Sequence, residues 1–182
     1  MTIQAKQWKV QHIDVQAAFL QGKPISRTLY IKPPVEARQP GKVWRLKKCI
    51  YGLVDGPRMW YMALKSTLLD VGMTVSTYDE SFFFIHRGGE LCGIIAIHVD
   101  DLMFGGNEWF RDVVIGTLKE KFKLSTEVET SFVYTGLDIC QNGKAIFLSQ
   151  LGYVHQINSL QIAPERRDKN KLPIDEEECS KL

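Results

Sequence analysis

The sequence has few cysteines, no long apolar run and no internal repeat, and these shortages exclude several classes of protein. The four cysteines are scattered without C-x-x-C spacing, at Cys49, Cys92, Cys140 and Cys179, which argues against a zinc knuckle and against a small secreted disulfide scaffold. The longest apolar run, LCGIIAI at residues 91–97, is far shorter than the roughly 18 residues of a transmembrane helix. The first residues, MTIQAKQWKVQ, lack the apolar segment of a signal peptide. We therefore expect a protein with no membrane partner, localised in the cytoplasm or the nucleus.

The chain does have the composition of a globular domain, with an uneven distribution of charge. Of its 182 residues, 45% are hydrophobic and 24% are charged, which suffices for one domain with a buried core. Residues 1–60 hold eleven Lys and Arg but three Asp and Glu. Five aromatic residues are interleaved with these cations, namely Trp8, Tyr30, Trp44, Tyr51 and Trp60. This pattern is typical of a surface that follows a nucleic-acid backbone, although a solvated surface over core aromatics would have the same composition.

Short apolar runs alternate with helical patterns along the chain. Strands are predicted at residues 8–15, 28–31, 43–48, 81–86, 91–99, 102–104, 132–140 and 144–149, the last two joined by the hairpin signal Gln141-Asn142-Gly143. A short helical turn is predicted at 17–21, and three helices begin at Pro57, after Asn107 and after Ser149, the last ending before Pro164. The inner faces of the first two helices are predicted as Trp60, Leu64, Thr67, Leu68 and Val71, and as Phe110, Val113, Val114, Leu118 and Phe122. The order of elements predicts an α+β fold, with an antiparallel sheet covered by helices on one face.

Two consecutive aspartates at the tip of a predicted hairpin are the first candidate site. They follow a buried run in IIAIHVDDLMFGG, residues 94–106, and HIDV at residues 12–15 repeats the H-x-D pattern. Side chains alternate along a strand, so neighbouring strands would bring Asp14, Asp100 and Asp101 to one end of a sheet. Oxygen ligands of this kind suit Mg²⁺, and two such ions roughly 3.5–4 Å apart serve phosphoryl transfer. Aspartate is also common in turns, where its side chain bonds to the nearby backbone. The hairpin sequence alone therefore fits both a metal site and an ordinary turn.

Four ordered segments resemble the copia-type LTR-retrotransposon reverse transcriptases. They are HIDVQAAFLQG, LKKCIYGLVDGPRMWY, HVDDLMFGG and FVYTGLDICQNGKAIFLSQLGYV, within residues 8–160. The resemblance implies the palm of a right-hand polymerase, which adds deoxynucleotides to a primer 3′-hydroxyl on an RNA or DNA template. It also implies two Mg²⁺ ions as cofactors, with Mn²⁺ as a substitute.

The resemblance assigns metal binding to the aspartates. Asp14 and Asp100 correspond to the direct ligands, Val15 to a residue that offers its backbone carbonyl, and Asp101 to a more peripheral carboxylate. His12 and His98 are assigned to structure. The two H-x-D pairs could also bind a transition metal, which gives a rival enzyme hypothesis.

Further motif positions correspond to nucleotide-binding residues. Phe19 matches the steric gate that excludes a 2′-hydroxyl, with a core phenylalanine as the alternative. Tyr51, Gly52 and Arg58 match the segment beneath the incoming nucleotide, although Arg58 also suits an exposed helix start. The chain departs from the family at Val54-Asp55, where members often carry Lys-Gln, although some members carry Asp at the second position. A carboxylate there would weaken phosphate binding unless Asp55 faces away.

Other positions correspond to contacts with primer and template. Tyr134 and Gly136 match the primer-grip hairpin, with a bend glycine as the alternative for Gly136. Lys47 and Lys48 are expected to contact the backbone of the template–primer duplex.

The expected organisation is a palm region at residues 1–163, with truncated fingers and a thumb barely begun, followed by a charged, mobile tail at 164–182. Its expected partners are template–primer, deoxynucleoside triphosphates and the fingers, thumb and RNase H portions of a parent polyprotein. We expect the isolated chain to extend a primer weakly or not at all. The alternative is a non-catalytic relic, or a domesticated nucleic-acid-binding or scaffolding module, that keeps the palm fold.

Overall fold

The computed structural model describes residues 2–157. Strands β1 to β11 are Gln11–Asp14, Tyr30–Ile31, Trp44–Arg45, Thr74–Val75, Phe82–Arg87, Glu90–His98, Asp101–Gly106, Val128–Glu129, Ser131–Tyr134, Leu137–Asn142 and Ala145–Ser149. Helices α1 to α6 are Thr2–Ala5, Ala18–Gln21, Gly56–Asp70, Glu108–Phe110, Gly116–Lys121 and Leu151–Val154. A 3₁₀ turn is present at Val35–Ala37 and a π-helical turn at Arg111–Ile115. The chain divides into two units, with the boundary between residues 148 and 149. Among the helices in residues 2–157, none is long and apolar enough to cross a membrane.

The first unit is a mixed α/β structure around a six-stranded antiparallel sheet. Its strand order is β4-β5-β6-β7-β1-β8. The predicted hairpin of residues 81–99 is present as β5 and β6, and the Asp-Asp hairpin is present as β6 and β7. The predicted strands at 28–31 and 43–48 are shorter and form a separate two-stranded ribbon, β2–β3. The sheet therefore places β1 directly beside β7. The paired residues Asp14 and Asp101 are separated by 86 residues in the sequence. In the sequence, only the similarity of the HIDV and HVDD motifs had linked these two strands.

Helices cover one face of this sheet. Helix α3 begins with Gly56-Pro57 and buries Trp60, Leu64 and Leu68, as its periodicity predicts. These side chains belong to the same core cluster as alternate residues of the sheet, among them Ile13, Val15, Phe83, Ile95, Leu102 and Phe104. Apolar residues spaced at about 3.6 residues lie on one face of the helix, and apolar residues at every second position lie on one face of the sheet. These two apolar faces pack against each other.

The opposite face of the sheet packs against a second, three-stranded sheet. Its order is β11-β10-β9, and it contributes Tyr134 and Ile139 to a smaller cluster that also contains Met103. The sequence analysis predicted residues 132–140 as one strand, which is wrong. Thr135 and Gly136 both have positive φ, 51° and 79°, and they turn the chain between β9 and β10.

The second helical segment differs from the prediction at its inner face. Asn107 Oδ1 accepts a hydrogen bond from the Phe110 amide at 2.9 Å, so the predicted cap is present. Val113, predicted to face inward, is 38% exposed, while Ile115 is buried. The π-helical turn at Arg111–Ile115 explains this correction, because its wider i→i+5 spacing changes which residues face the sheet.

The last helix begins close to the predicted position, but its N-cap is Gln150 and not Ser149. The Leu151 amide donates to Ser149 Oγ at 3.1 Å, and α6 follows. The predicted end of this helix before Pro164 and the predicted tail at 164–182 lie outside the residues that the structure describes, so the domain boundary at residue 163 stays a prediction.

The ring of Phe110 packs on glycines of two adjacent strands. Gly93 of β6 and Gly106 of β7 are register partners, and a Cβ on either would lie 2.1 Å or 2.2 Å from an atom of the Phe110 ring. Glycine is required at these two positions because any side chain would occupy the space of a fully buried aromatic ring.

Candidate active site at the end of strands β1 and β7

The pairing of β1 with β7 brings the three aspartates of the motifs to one end of the sheet. Asp14 lies opposite Asp101 in the β1–β7 ladder, and Asp101 lies opposite His98 in the β6–β7 ladder. Asp100 belongs to the two-residue turn before β7, and its carbonyl accepts a hydrogen bond from the Val15 amide at 2.8 Å. Asp101, expected to be peripheral because of its strand face, is therefore the residue directly across from Asp14.

The carboxylates at this end of the sheet repel one another. Burial raises the pKa of the Asp14 carboxyl, and the negative charges of Asp100 and Asp101 raise it further, while His12 acts in the opposite direction. A cation placed among these oxygens would relieve the repulsion, because carboxylates bind hard divalent ions.

Replacing Asp14 by Asn should stabilise the metal-free protein at neutral pH. The pKa of Asp14 in the folded state lies above the usual value of 3.8. Between these two pKa values the folded chain binds more protons than the unfolded chain, so the free energy of unfolding falls as the pH rises through this range. We expect Asp14→Asn to raise the free energy of unfolding by up to about 1 kcal/mol at pH 7. Urea unfolding across pH measures the difference, which should vanish below the usual pKa. A variant less stable than the wild type at pH 7 would contradict the repulsion.

Asp101 is held by a neighbouring histidine. His12 Nε2 lies 2.8 Å from Asp101 Oδ1, and the His12 ring stacks on Phe132 with centroids 5.3 Å apart. Tyr134 lies on the same side of the sheet, where burial first, and the charges of Asp101 and Asp79 second, raise its pKa to about 12. The Tyr134 hydroxyl is therefore protonated at neutral pH.

Within residues 2–157, no group of three or more His, Cys, Asp or Glu side chains is already arranged to hold a metal ion. His98 is exposed at the end of β6, whereas His12 is partly buried and bonded to Asp101. Asp14, Asp100 and Asp101 nevertheless carry the oxygen ligands that suit a hard divalent cation.

Phe19 follows the β1 strand on the short helix α2. Its ring is 9% exposed and lies 4.6 Å from the Tyr51 ring, centroid to centroid. Gly56 packs against it, since a Cβ at Gly56 would lie 3.2 Å from the Phe19 ring. Tyr51 is itself exposed, next to Gly52 with φ +90°. Phe19 therefore belongs to the core and also lies directly beneath an exposed aromatic side chain.

The Asp55 carboxylate, a departure from the family pattern, is paired with an arginine. Arg27 donates to Asp55 Oδ2 from Nη2 at 2.6 Å and from Nε at 2.8 Å. Sequence reasoning missed Arg27, because no local spacing relates residues 28 positions apart in loop-rich sequence. The pair neutralises the charge that the sequence analysis expected to disturb phosphate binding.

The sequence-predicted basic residues are exposed on two segments. Lys47 and Lys48 follow β3, where the Lys47 carbonyl accepts from the Ile25 amide and Lys48 bridges to Pro24. Arg58 lies in the first turn of α3. The adjoining β2–β3 ribbon exposes Tyr30 and Trp44. Gly136 lies at the β9–β10 turn, where its positive φ explains the choice of glycine.

Comparison with known proteins gives a consistent set of relatives. Residues 1–164 match the family described as reverse transcriptase (RNA-dependent DNA polymerase). The chain is 32% identical over 151 residues to the retrovirus-related Pol polyprotein from transposon RE2 of Arabidopsis thaliana. The alignment covers 81% of this chain and 10% of that protein. It is 27% identical over 156 residues to the retrovirus-related Pol polyprotein from transposon TNT 1-94 of Nicotiana tabacum. That alignment covers 82% of this chain and 12% of the tobacco protein. The chain thus spans about a tenth of the length of these curated relatives.

Proposed function

Because this chain belongs to the reverse transcriptase family, in its copia-type branch, we propose that it is the palm region of an RNA-directed DNA polymerase. In this proposal it adds deoxynucleotides to a primer 3′-hydroxyl by two-metal phosphoryl transfer. The observation that carries the proposal is the β1–β7 pairing, which gathers Asp14, Asp100 and Asp101 at one end of a sheet. That arrangement joins two motifs that are far apart in the sequence.

The proposed metal ligands are the carboxylates of Asp14 and Asp100 and the backbone carbonyl of Val15. Asp101 completes the negative potential, and its bond to His12 fixes its orientation. When bound, two Mg²⁺ ions, or Mn²⁺ in their place, supply activation of the attacking hydroxyl and stabilisation of the leaving oxygen. The raised pKa of the Asp14 carboxyl, caused first by burial and then by the charges of Asp100 and Asp101, supports this assignment, because a bound cation would offset those charges.

The proposed nucleotide site adjoins these ligands. Phe19 would lie under the sugar and exclude a 2′-hydroxyl, with Tyr51 packed on its ring and Gly52 allowing close approach of the base pair. Arg58 is proposed to contact phosphate. The Arg27–Asp55 pair removes the unfavourable charge of Asp55 from this surface.

The proposed partners are an RNA or DNA template–primer and deoxynucleoside triphosphates. Lys47 and Lys48 would contact the duplex backbone, while Tyr134 and Gly136 of the β9–β10 hairpin would support the primer. The relatives are Pol polyproteins of about ten times the matched length. We therefore propose that fingers, thumb and RNase H portions of such a polyprotein act with this region, in the cytoplasm or the nucleus.

Binding to a template–primer duplex should be weak, independent of sequence and sensitive to salt. Each phosphate contact made by a lysine contributes about 0.9 to the slope of log affinity against log salt. Replacing Lys48 by Gln should therefore lower that slope by about 1, and replacing Lys144, on the β10–β11 turn, by Gln should leave it unchanged. Fluorescence anisotropy with a labelled duplex between low and moderate salt measures both slopes. An affinity insensitive to salt would rule out the phosphate contacts.

Template-directed incorporation tests the proposed activity itself. The chain is incubated with Mn²⁺, a 5′-labelled primer on an RNA or DNA template and one deoxynucleotide at a time. We expect slow addition of the complementary nucleotide and none of the corresponding ribonucleotide. Addition that ignores the template base would contradict the proposal.

A non-catalytic nucleic-acid-binding module is the second candidate. It is favoured by the exposed cations and aromatic side chains around the β2–β3 ribbon, namely Lys47, Lys48, Tyr30 and Trp44. Salt-dependent binding of duplex without any incorporation in the same preparation would support this candidate over the polymerase.

A further inference from the structure

A buried tryptophan of helix α3 is hydrogen-bonded to the aspartate turn. Trp60 is 1% exposed, and its Nε1–H donates to the Val99 carbonyl at 2.6 Å. Its ring meets Phe122 edge to face, with centroids 5.0 Å apart. The indole is therefore fixed by packing on the helix side, and its one polar atom reaches the turn between β6 and β7.

The backbone of that turn has a conformation that its residue disfavours. Val99 has φ +55°, in the left-handed region, where a β-branched side chain is a true outlier. The Val99 side chain is 43% exposed, so its own packing does little to compensate. Hydrogen bonds to the turn must supply the compensation. The Trp60 indole bonds the Val99 carbonyl, and the Val15 amide bonds the next carbonyl, that of Asp100, at 2.8 Å.

We propose that Trp60 is a positioning residue that holds the strained Val99–Asp100 turn and thereby sets where the Asp100 carboxylate lies relative to Asp14. Two hydrogen bonds hold two successive carbonyls, and therefore the two peptide planes on either side of the Asp100 Cα. We call the hydrogen bond from Trp60 to the Val99 carbonyl the tether. Its role in holding the turn is argued from the contacts alone, whereas its effect on metal binding rests on the proposed function. Tryptophan is needed because phenylalanine of similar shape has no donor at that edge.

The Trp60→Phe variant tests the tether in the metal-free protein. Phenylalanine keeps an aromatic ring in the core and removes the N–H. In the wild type, NMR should show a strong intraresidue amide–Hα NOE for Val99, diagnostic of positive φ, and a Trp60 indole proton that exchanges slowly. In the variant we expect the Val99 NOE to weaken and the amide signals of Asp100 and Asp101 to shift.

Two further variants separate positioning from general loss of stability. Asn adopts the left-handed region readily, so Trp60→Phe/Val99→Asn should recover the turn geometry without the tether. Leu68→Val, on the buried face of the same helix, should lower the unfolding midpoint and leave the signals of the turn in place. Mn²⁺ affinity, read from line broadening at Asp14 and Asp100, should fall about tenfold in Trp60→Phe, which corresponds to about 1.4 kcal/mol, and recover in the double variant.

Each result decides the matter. Unchanged Val99 and Asp100 signals in Trp60→Phe would overturn the proposal, as would a double variant that remains as perturbed as the single one. A wild-type chain that binds no Mn²⁺ would contradict the proposed metal site, while the metal-free NMR comparison would still decide whether Trp60 holds the turn.

Discussion

Single-nucleotide addition is expected to fall at least about 100-fold when Asp100 is replaced by Asn. The carboxylate supplies a negative ligand, and an amide oxygen binds a hard divalent cation much more weakly. A 100-fold loss corresponds to about 2.7 kcal/mol of transition-state stabilisation, a modest share of what a metal ion contributes. Because we expect slow addition by this chain alone, the measurement uses excess protein over labelled template–primer, Mn²⁺ and long incubation.

Asp138→Asn is the matched control, since Asp138 is an exposed aspartate of β10. It should leave the rate of addition unchanged. Equal, measurable rates in wild type and Asp100→Asn would contradict the assignment of Asp100. Failure of all three proteins to add a nucleotide, together with no binding of Mn²⁺ at Asp14 and Asp100 in the wild type, would favour the non-catalytic candidate.

Gly93→Ala is expected to cause a large loss of stability. The new methyl group would lie 2.1 Å from Cδ2 of Phe110, a side chain with no exposed surface. Relief requires the helix that carries Phe110 to move away from β6, because the ring already packs between two strands. Overpacking of this kind costs about 3 kcal/mol, roughly a 100-fold change in the folding equilibrium. Urea unfolding followed by circular dichroism measures it.

Gly116→Ala provides the matched control for that substitution. Gly116 is helical, and a Cβ there meets nothing closer than 4.0 Å. Alanine should therefore stabilise the protein by about 0.5–1 kcal/mol through its higher helix propensity. If Gly93→Ala were tolerated as well as Gly116→Ala, the close packing of Phe110 on the sheet would be wrong.

The spacing of apolar residues along the sequence predicted the helices and strands in which buried residues recur at regular intervals. The inner face of α3 through Trp60, Leu64 and Leu68 follows from spacing alone, and so does the hairpin of β5 and β6. The proximity of β1 and β7 came from the resemblance between HIDV and HVDD, because strand order is not a local property. The turn at Thr135-Gly136 was not predicted from the residue pattern, since neither a Pro nor an Asn-Gly pair marks it, and only the resemblance to the primer-grip hairpin indicated a bend at Gly136.

Contacts between distant residues could not be predicted in the same way. The Arg27–Asp55 pair and the Trp60–Val99 hydrogen bond join residues whose positions relative to one another depend on the packing of α3. The π-helical turn that exposes Val113 is a further case, because an i→i+5 turn leaves no distinct residue pattern. The aspartate motif was visible in the sequence, whereas the interactions that hold it were not.

The most direct test of the central claim, that the end of β1 and β7 binds divalent metal, is Mn²⁺ titration followed by NMR line broadening. We expect the amides of Asp14, Val15, Asp100 and Asp101 to broaden first, and we expect Asp14→Asn/Asp100→Asn to abolish this selectivity. Broadening that begins instead at the carboxylates of Glu127 and Glu129, which already contact Lys119, Lys9 and Arg111, or that is the same in the double variant, would contradict it.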